Sequence, residues 1–346
     1  MGGKVFPGKT RRFERDEYFT LTGEVSRLMV PFSAALVVIP AYNEKPSFGD
    51  MDVLFTPSCM VDKQVLMDAF GCADDEVVHN GGVWSLVYKG FQLDLITTKW
   101  DELDYALNYF SFNDRGNLVG RLAHKLGLKH GHDGLWFPVR SADHTLGEVL
   151  LTLDPRVAED FLDVVAPPAA GFDTLEQVFE NVAASKYFNP DIFLLENRNH
   201  TSRVRDRKRA TYTAFLDWCK TQTVKNDFYQ FDADKTAYHR KIFKAFPSAK
   251  AEFDELWRRK FEIEAAAKKF NGDLVKEWTG RENARLGELM KVLKADLTPT
   301  VVNMMTDAAI HKVVMEQHNR LNHESEVRTM LASKDGGFFA PEYNTQ

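Results

Sequence analysis

Two aspartates separated by one residue stand at the head of an apolar run. Asp50 and Asp52 precede Val53-Leu54-Phe55, and side chains two apart in a β-strand project from the same face of a sheet. Neighbouring carboxylates repel and raise each other's pKa unless a cation lies between them, and magnesium prefers hard oxygen ligands. The spacing therefore indicates a cation site. The alternative is a turn at Phe48-Gly49-Asp50 that only leads into an edge strand.

A third carboxylate lies on a later segment that alternates in the same way. Asp94 points away from Leu93 and Leu95 in the run 91–96, and hairpin signals at Asn80-Gly81-Gly82 and Lys89-Gly90 frame a strand at 83–88. A meander of this kind can bring Asp94 beside the first two aspartates. Three carboxylates on one sheet face can hold two metal ions roughly 3.5–4 Å apart, as in-line displacement at phosphorus requires.

The order of these residues resembles the palm, the sheet-bearing catalytic region, of the DNA polymerase β nucleotidyltransferase superfamily. Gly49-Asp50-x-Asp52 is followed by an apolar-Asp94-apolar strand. Further on, the chain is similar to family X polymerases, whose Tyr-Phe-Thr-Gly turn precedes an Asn and an Arg. The matching positions are Tyr109-Phe110-Ser111, Asn117, Arg121, Gly127-Leu128-Lys129 and Gly134-Leu135, and the similarity covers residues 35–165.

The resemblance implies an α+β fold, a palm with a mixed or antiparallel sheet and helices followed by a mostly α-helical C-terminal domain. It implies a metal-dependent enzyme that adds nucleotides from nucleoside triphosphates to the 3′-hydroxyl of a nucleic acid and releases pyrophosphate. Asp50, Asp52 and Asp94 would be catalytic and would bind two Mg²⁺ ions, with Mn²⁺ as the alternative. DNA is the favoured acceptor; an RNA or tRNA 3′ end, a protein or a small molecule, and a catalytically inactive binding protein remain alternatives.

The same resemblance assigns nucleotide contacts and shows two departures. Tyr109 and Phe110 would contact the sugar and exclude a ribose 2′-hydroxyl, while Asn117 and Arg121 would face the minor-groove side of the nascent pair, unless their helix is only a solvated surface. The family's Gly-Ser, which opens a triphosphate-binding helix, is replaced by Ile39-Pro40-Ala41-Tyr42, where Pro40 can still open a helix. Ser47, Lys45 or Tyr42 would substitute for the lost hydroxyl. Phe112 stands where the family has the Gly of its turn.

A basic run in the second half of the chain contrasts with the net charge of −6. Basic charge interleaved with aromatic residues is typical of nucleic-acid contact, and Tyr212, Phe215 and Trp218 follow on what is predicted to be the same helix. The alternative is a solvated basic face with the aromatic residues as its buried side. The residues assigned to nucleic-acid binding are Arg198, Arg203, Arg205, Arg207, Lys208 and Arg209.

Length and composition set the domain organisation. The 346 residues suffice for two or three domains, and we predict an N-terminal arm (1–32), the palm with its following subdomain (33–165), a helical domain (172–332) after a Pro-Ala-Gly linker, and a flexible tail (333–346). Three cysteines without paired spacing indicate reduced thiols in a cytoplasmic protein. The sequence indicates no membrane span and no particular protein partner.

Local patterns complete the expectations. Residues 1–20 read as a solvated tail, with a nucleic-acid arm as the alternative. We predict helices at 62–70, from Thr145 to Leu150, at 248–270 and at 274–293, and a further helix that Thr298-Pro299 opens. The apolar stripes of the C-terminal helices, including Phe253, Trp257 and Phe261, are predicted to form the core of a bundle.

Overall fold

The computed structural model describes residues 3–142, 144–221 and 227–334. The chain is a mixed α+β protein that divides into two compact units, Met1–Ala251 and Glu252–Gln346. The division falls within the helix Ser248–Lys269, whereas the sequence places a boundary at 166–171. Residues following that linker belong to the first unit because Phe172 packs edge-on against Phe112 and Asp173 accepts a hydrogen bond from Asn43.

The first unit contains every strand of the described residues. They are β1 (Phe13–Glu14), β2 (Ser33–Val38), β3 (Ser47–Phe48), β4 (Asp50–Pro57), β5 (Val77–Asn80), β6 (Val83–Tyr88), β7 (Phe91–Thr97), β8 (Lys129–Gly131), β9 (Gly134–Ser141) and β10 (His144–Thr152).

The main sheet is mixed, with strand order β2-β4-β7-β6-β5. The two predicted hairpins, β5–β6 and β6–β7, are confirmed as antiparallel pairs, and their turns use left-handed backbone at Gly81, Lys89 and Gly90. The chain thereby returns β7 to lie parallel to β4. A three-stranded antiparallel sheet, β10-β9-β8, and the short pair β1-β3 complete the strand pairing.

Helices make up most of the rest of the first unit. They are α1 (Arg15–Met29), α2 (Lys63–Phe70), α3 (Leu103–Phe110), α4 (Arg115–Lys125), α5 (Pro155–Leu162), α6 (Leu175–Ala183), α7 (His200–Arg207), α8 (Ala210–Thr221) and α9 (His239–Ala245), with short 3-10 turns at Val30–Phe32, Asp74–Glu76, Trp100–Glu102, Pro190–Phe193, Leu195–Asn197 and Lys235–Tyr238.

The core of this unit lies on one face of the main sheet. Met51, Val53, Leu93 and Leu95 alternate onto that face and are fully buried, in one cluster with residues of α1 and α2. Because side chains alternate along a strand, Asp50, Asp52 and Asp94 project from the opposite face. Burial of the four hydrophobic side chains therefore determines that the three aspartates point to the other face of the sheet.

The N-terminal region is ordered over more of its length than a solvated tail would be. Helix α1 begins at Arg15, where Glu14 and Glu17 form a capping box, and it buries Tyr18, Leu21 and Val25. Phe6 is also buried, at 4% exposure. The predicted solvated tail is therefore wrong for the described residues up to Thr20. Because apolar residues are few in this part of the sequence, the few that become buried are not recognisable from the sequence alone.

The segment predicted as a helix at 145–150 is instead part of β10. It pairs with β9 over most of its length, and the register shifts between Thr145 and Gly147 and again between Leu150 and Thr152. These irregularities break the strict alternation by which a strand is recognised in a sequence. The helix at 62–70 is confirmed, with the Asp62 side chain capping α2.

The second unit consists of helices within the described residues. The helix Ser248–Lys269, α10, crosses into it from the first unit, and α11 (Gly272–Thr279), α12 (Asn283–Asp296), α13 (Pro299–Met304) and α14 (Asp307–Lys334) follow. Thr298 caps α13 as predicted. The helix predicted at 274–293 is broken at Gly280, whose φ of +65° ends α11.

The core of the second unit does not include all of the apolar residues that the sequence predicts for it. Val275, Leu289, Leu293, Val302 and Ile310 are its buried centre. Phe261, predicted as core, is 58% exposed. The predicted flexible tail lies outside the described residues from 335 onward. No helix in the described ranges combines the length and apolar character that a membrane crossing requires.

Candidate functional site

The three aspartates come together because β4 and β7 are parallel and in register. Asp52 lies directly opposite Asp94 across the two strands, and Asp50 lies opposite Gln92. One potential ligand atom from each of the three carboxylates falls within 4.8 Å of the others. The sequence predicted this cluster from alternation and hairpin signals, and the structure places its members side by side.

Hydrogen bonds hold Asp94 in a defined orientation. Its carboxylate accepts a 2.5 Å hydrogen bond from Ser85 Oγ and a 2.9 Å bond from Gln92 Nε2. The Gln92 side chain, 2% exposed, in turn accepts a 3.0 Å bond from the backbone N–H of Val5. Asp94 is therefore held in place by residues of β6, β7 and the N-terminal segment.

The electrostatics of the cluster favour a bound cation. Burial, followed by the charges of Asp50 and Asp94, raises the pKa of Asp52 to about 8. Burial, followed by the charge of Asp94, also raises the pKa of Asp50, and burial raises that of Asp94. Three partly buried carboxylates with oxygen donors this close fit a hard divalent ion, whose charge would remove their mutual repulsion.

Two of the three aspartates line a large cavity whose wall also carries several basic residues. The cavity has a volume of about 1020 Å³, and Asp50 and Asp52 line it together with Arg205, Lys208 and Arg209 of the basic run. Two further cations, Lys4 and Lys45, lie on its rim. The aspartates and part of the basic run thus face the same space, although the sequence assigns them to separate domains.

Lys45 and Ser47 lie on the approach to the aspartates but differ in availability. The ammonium group of Lys45 lies 4.6 Å from the centre of the Phe48 ring, and burial lowers its pKa against the opposing effect of Asp50 and Asp52. Ser47 Oγ already accepts hydrogen bonds from Arg12, at 3.0 Å from Nη2. The segment at Ile39–Lys45 is a turn and extended chain rather than the helix that Pro40 was expected to open.

The basic run divides into residues with internal partners and residues that face solvent. Arg198 forms a 2.7 Å ion pair with Asp206, which is fully buried. Arg205 bonds to Asp206 at 3.0 Å and to Asn117 Oδ1 at 3.1 Å. Arg209 forms an ion pair with Asp114. Half of the run therefore has a structural role in addition to any ligand contact.

The remaining members of the run are oriented toward solvent. Arg207 and Lys208 are exposed and Arg203 is partly exposed. The aromatic residues predicted to accompany them belong to a different helix, since α7 ends at Arg207 and α8 begins at Ala210. Tyr212 and Phe215 are completely buried there, so these two aromatic residues form the buried side of the element.

The four residues assigned to the sugar and the nascent pair separate into two groups. Phe110 lines the cavity of the aspartates. Tyr109, Asn117 and Arg121 line a second cavity of about 400 Å³, which Arg205 shares with the first. Arg121 is 7% exposed and donates to the carbonyl oxygens of Ile192 and Asn197 at 2.6 and 3.0 Å. Its guanidinium group joins α4 to the chain that precedes α7.

The contribution of the N-terminal segment could not be read from the sequence. Lys4 lines the cavity, Val5 bonds Gln92, and Gly3 donates a backbone hydrogen bond to Asp50. A Cβ atom on Gly3 would overlap the carbonyl oxygen of Gly49, so the two backbones are in close contact. Only a tertiary structure reveals this contact, because the segment carries no motif.

The sequence matches no protein-family model, and no curated protein matches it significantly.

Proposed function

We propose that the chain is a metal-dependent nucleotidyltransferase that adds nucleotides from nucleoside triphosphates to the 3′-hydroxyl of a nucleic acid and releases pyrophosphate. The observation that supports this most directly is the shared cavity, which is lined by Asp50 and Asp52 of the carboxylate cluster and by Arg205, Lys208 and Arg209. Carboxylates alone would repel a phosphate, and cations alone could not hold a metal. The combination suits a phosphate ester bound through divalent ions.

The aspartates would share the metal binding unequally. Asp50 and Asp52 line the cavity and would hold two Mg²⁺ ions, or Mn²⁺, while Asp94 would complete the site on the acceptor side. When bound, the ions supply charge stabilisation at the α-phosphate and at the attacking and leaving oxygens. Asp94, oriented by Ser85 and Gln92, would help withdraw the proton of the 3′-hydroxyl.

The basic wall would hold the triphosphate in place of the family's Gly-Ser helix. Lys45 is close enough to Asp50 and Asp52 to affect their protonation, and Lys208 is exposed on the same cavity. Ser47 is a weaker substitute because Arg12 already occupies its hydroxyl. We therefore assign the triphosphate contacts to Lys45, Lys208 and Arg209.

The position of Phe110 makes it the candidate sugar contact. It lines the cavity of the aspartates, whereas Tyr109 lines the second cavity. We expect deoxynucleotides to be preferred and the preference to weaken more in Phe110→Ala than in Tyr109→Ala. The measurement is the ratio of kcat/KM for deoxy- and ribonucleotides. Equal use of both by the wild-type protein would favour an RNA acceptor.

The reaction is tested by supplying labelled nucleoside triphosphates and Mg²⁺ with separate DNA primers, RNA primers, protein and small-molecule acceptors. Extension of a primer by labelled nucleotide, lost on addition of a chelator and in Asp52→Asn, is the expected result. Label transferred only to a protein or small molecule would keep the chemistry and replace the acceptor. Absence of transfer to every acceptor by well-folded protein would overturn the proposal.

A further inference from the structure

The second cavity is lined by cations without carboxylates. Its volume is about 400 Å³, and its walls come from α4, the 3-10 turn Lys235–Tyr238 and the residues around the start of α7. Five lysine or arginine side chains line it, and the described residues of its wall include no aspartate or glutamate. These five are Arg121, Lys125, Arg198, Arg205 and Lys235.

Nearby carboxylates compensate only part of this charge. Asp206 lies behind the wall and pairs with both Arg198 and Arg205. Among the residues that the structure describes, the hydrogen-bond acceptors of Arg121 are the neutral atoms Ile192 O, Asn197 O and His124 Nδ1, and Asp206 acts on it without a hydrogen bond. The pKa values of Lys125 and Lys235 are lowered by burial and then by neighbouring cations, and no ion pair is described for either lysine. The fold thus concentrates positive charge in a concave space.

Two hydrogen-bond donors on this wall have no partner among the described residues. The Nε atom of Arg198 and the Nδ2 atom of Asn117 are buried without an acceptor, and both residues line the cavity. The Arg198 side chain is only 6% exposed. A buried donor without an acceptor destabilises the protein, so an acceptor-rich ligand that reached these atoms would relieve both of them.

We infer that this cavity is a second, metal-independent phosphate site that binds a phosphate of the nucleic-acid acceptor. The unpartnered Arg198 and Asn117 donors, with Lys125 and Lys235, provide the charge and hydrogen bonds that a phosphate's acceptor oxygens require. The volume exceeds that of a phosphate group alone, which leaves room for the attached sugar. The inference rests on the proposed function only for the identity of the acceptor.

The location suits an acceptor that reaches the aspartates. Arg205 lines both cavities, so a strand with its 3′ end in the first cavity can place a more distant phosphate in the second. Lys125 and Lys235 are the best positions for testing this interaction. Neither is fully buried, and replacing them removes no ion pair described in the first unit.

The experiment measures phosphate binding in the presence of a chelator, so that neither metal nor catalysis is required. Inorganic phosphate, pyrophosphate and short single-stranded oligonucleotides with a 5′-phosphate or a 5′-hydroxyl are titrated by calorimetry and fluorescence anisotropy. The test variant is Lys125→Gln/Lys235→Gln. The control is Lys220→Gln/Lys244→Gln, which makes the same charge change on exposed residues of α8 and α9 outside both cavities.

We expect the test variant to bind pyrophosphate and oligonucleotide about tenfold or more weakly, since hydrogen bonds to charged groups are strong. The slope of its salt dependence should flatten by about 0.7 for each phosphate of a single strand that the variant no longer neutralises. Equal weakening for both oligonucleotides identifies a backbone phosphodiester, and weakening confined to the 5′-phosphorylated one identifies the terminal phosphate. Either result supports the site.

Equal affinities in the test and control variants would overturn the site. Binding that requires Mg²⁺ and disappears in Asp52→Asn would also overturn it, because the phosphate would then sit on the aspartates. Chelator-resistant binding without nucleotidyl transfer to any acceptor would retain this site and refute the proposed function. Failure of the two ideas is therefore distinguishable.

Discussion

At the scale of single residues, Asp52 occupies the least favourable position for a negative charge. It faces Asp94 across the parallel strands and lies two residues from Asp50, and no ion pair with a lysine or arginine is described for any of the three. Strand pairing, hydrogen bonds to Asp94 and burial of the hydrophobic residues on the other face keep these carboxylates together. Without a metal ion this arrangement destabilises the folded protein, and the same arrangement provides a binding site for a cation.

Substituting Asp52 by Asn should abolish nucleotidyl transfer while stabilising the metal-free protein at alkaline pH. A carboxylic acid whose pKa is raised by folding, here to about 8, makes the fold lose stability as pH rises from near 4 towards 8. Asn does not titrate. We therefore expect thermal unfolding in chelator to show a smaller decrease in stability between pH 6 and 8 in the variant than in the wild type.

The exposed residue Asp101 provides the control for this prediction. Asp101→Asn should retain transfer and follow the wild-type dependence of stability on pH. Transfer at wild-type rates by Asp52→Asn would remove Asp52 from the catalytic site.

At the scale of elements, α7 has a structural role and also carries an exposed basic surface. Arg198, just before the helix, pairs with Asp206 inside it, whereas Arg203 and Arg207 lie toward solvent. The sequence treats all of these cations as equivalent. Their environments differ in the structure, because Arg198 pairs with the buried Asp206 whereas Arg203 and Arg207 do not.

Arg198→Ala should destabilise the first unit by about 3–5 kcal/mol, because it leaves the buried carboxylate of Asp206 with Arg205 as its one remaining described ion-pair partner. The double variant Arg203→Ala/Arg207→Ala should change the free energy of unfolding by less than about 1 kcal/mol. Denaturant titration followed by circular dichroism measures both. Equal destabilisation by the two variants would show that the exposed arginines also have structural partners.

The connection between α3 and α4 stores backbone strain. Phe112 and Asn113 have φ values of +59° and +64°, and left-handed backbone costs a residue such as Phe about 1–2 kcal/mol. Phe112 tolerates this because its ring packs with Phe172 at 5.0 Å and its N–H donates to Pro40 O at 2.8 Å. Phe112 thus anchors the segment that follows the linker at Phe172.

Phe112→Gly should therefore destabilise the protein despite relieving strain. Removal of a buried phenyl ring costs about 3–5 kcal/mol, which exceeds the strain of about 1–2 kcal/mol, and a net destabilisation of about 1–4 kcal/mol is expected. Asn tolerates left-handed backbone better than Phe does, so Asn113→Gly relieves less strain, removes no ring, and should change stability by less than about 1 kcal/mol. A stabilising Phe112→Gly, measured by urea unfolding, would contradict the anchoring role.

At the scale of the whole molecule, acid should weaken the fold through its histidines. His130 Nδ1 lies 2.7 Å from Tyr105 Oη, and burial, followed by the charge of Arg115, lowers the pKa of His130 to about 3. The unfolded chain takes up a proton at about pH 6.5, whereas the folded protein does not. Stability from this residue is therefore complete above about pH 6.5 and falls as pH decreases towards about 3.

Between about pH 6.5 and 5, His130→Gln should reduce the slope of unfolding free energy against pH by up to about 1.4 kcal/mol per pH unit. Gln can still bond to Tyr105, which separates the effect of titration from that of removing the hydrogen bond. His144→Gln, on the exposed end of β10, should leave the slope unchanged. Identical slopes in wild type and His130→Gln would exclude this residue as the source.

Local periodicity in the sequence is sufficient to predict the aspartate cluster. Alternation and glycine turns predicted β4, β6 and β7, and these strands position Asp50, Asp52 and Asp94. Irregular pairing concealed β10, where register shifts disrupt the pattern. The basic run lines the same cavity as Asp50 and Asp52 because of the way α7 packs within the first unit. This packing depends on contacts between residues that are far apart in the sequence. No spacing in the sequence encodes it.

The position of Gly3 also has a practical consequence for anyone who produces the protein. The chain passes the rim of the aspartate cavity at Lys4, and the backbone of Gly3 is pressed against that of Gly49. An affinity tag fused directly ahead of Gly3 would therefore lie beside the aspartate cavity. Tagging at the other terminus, or removing the N-terminal tag by protease before assay, keeps the measurement of activity independent of the purification handle.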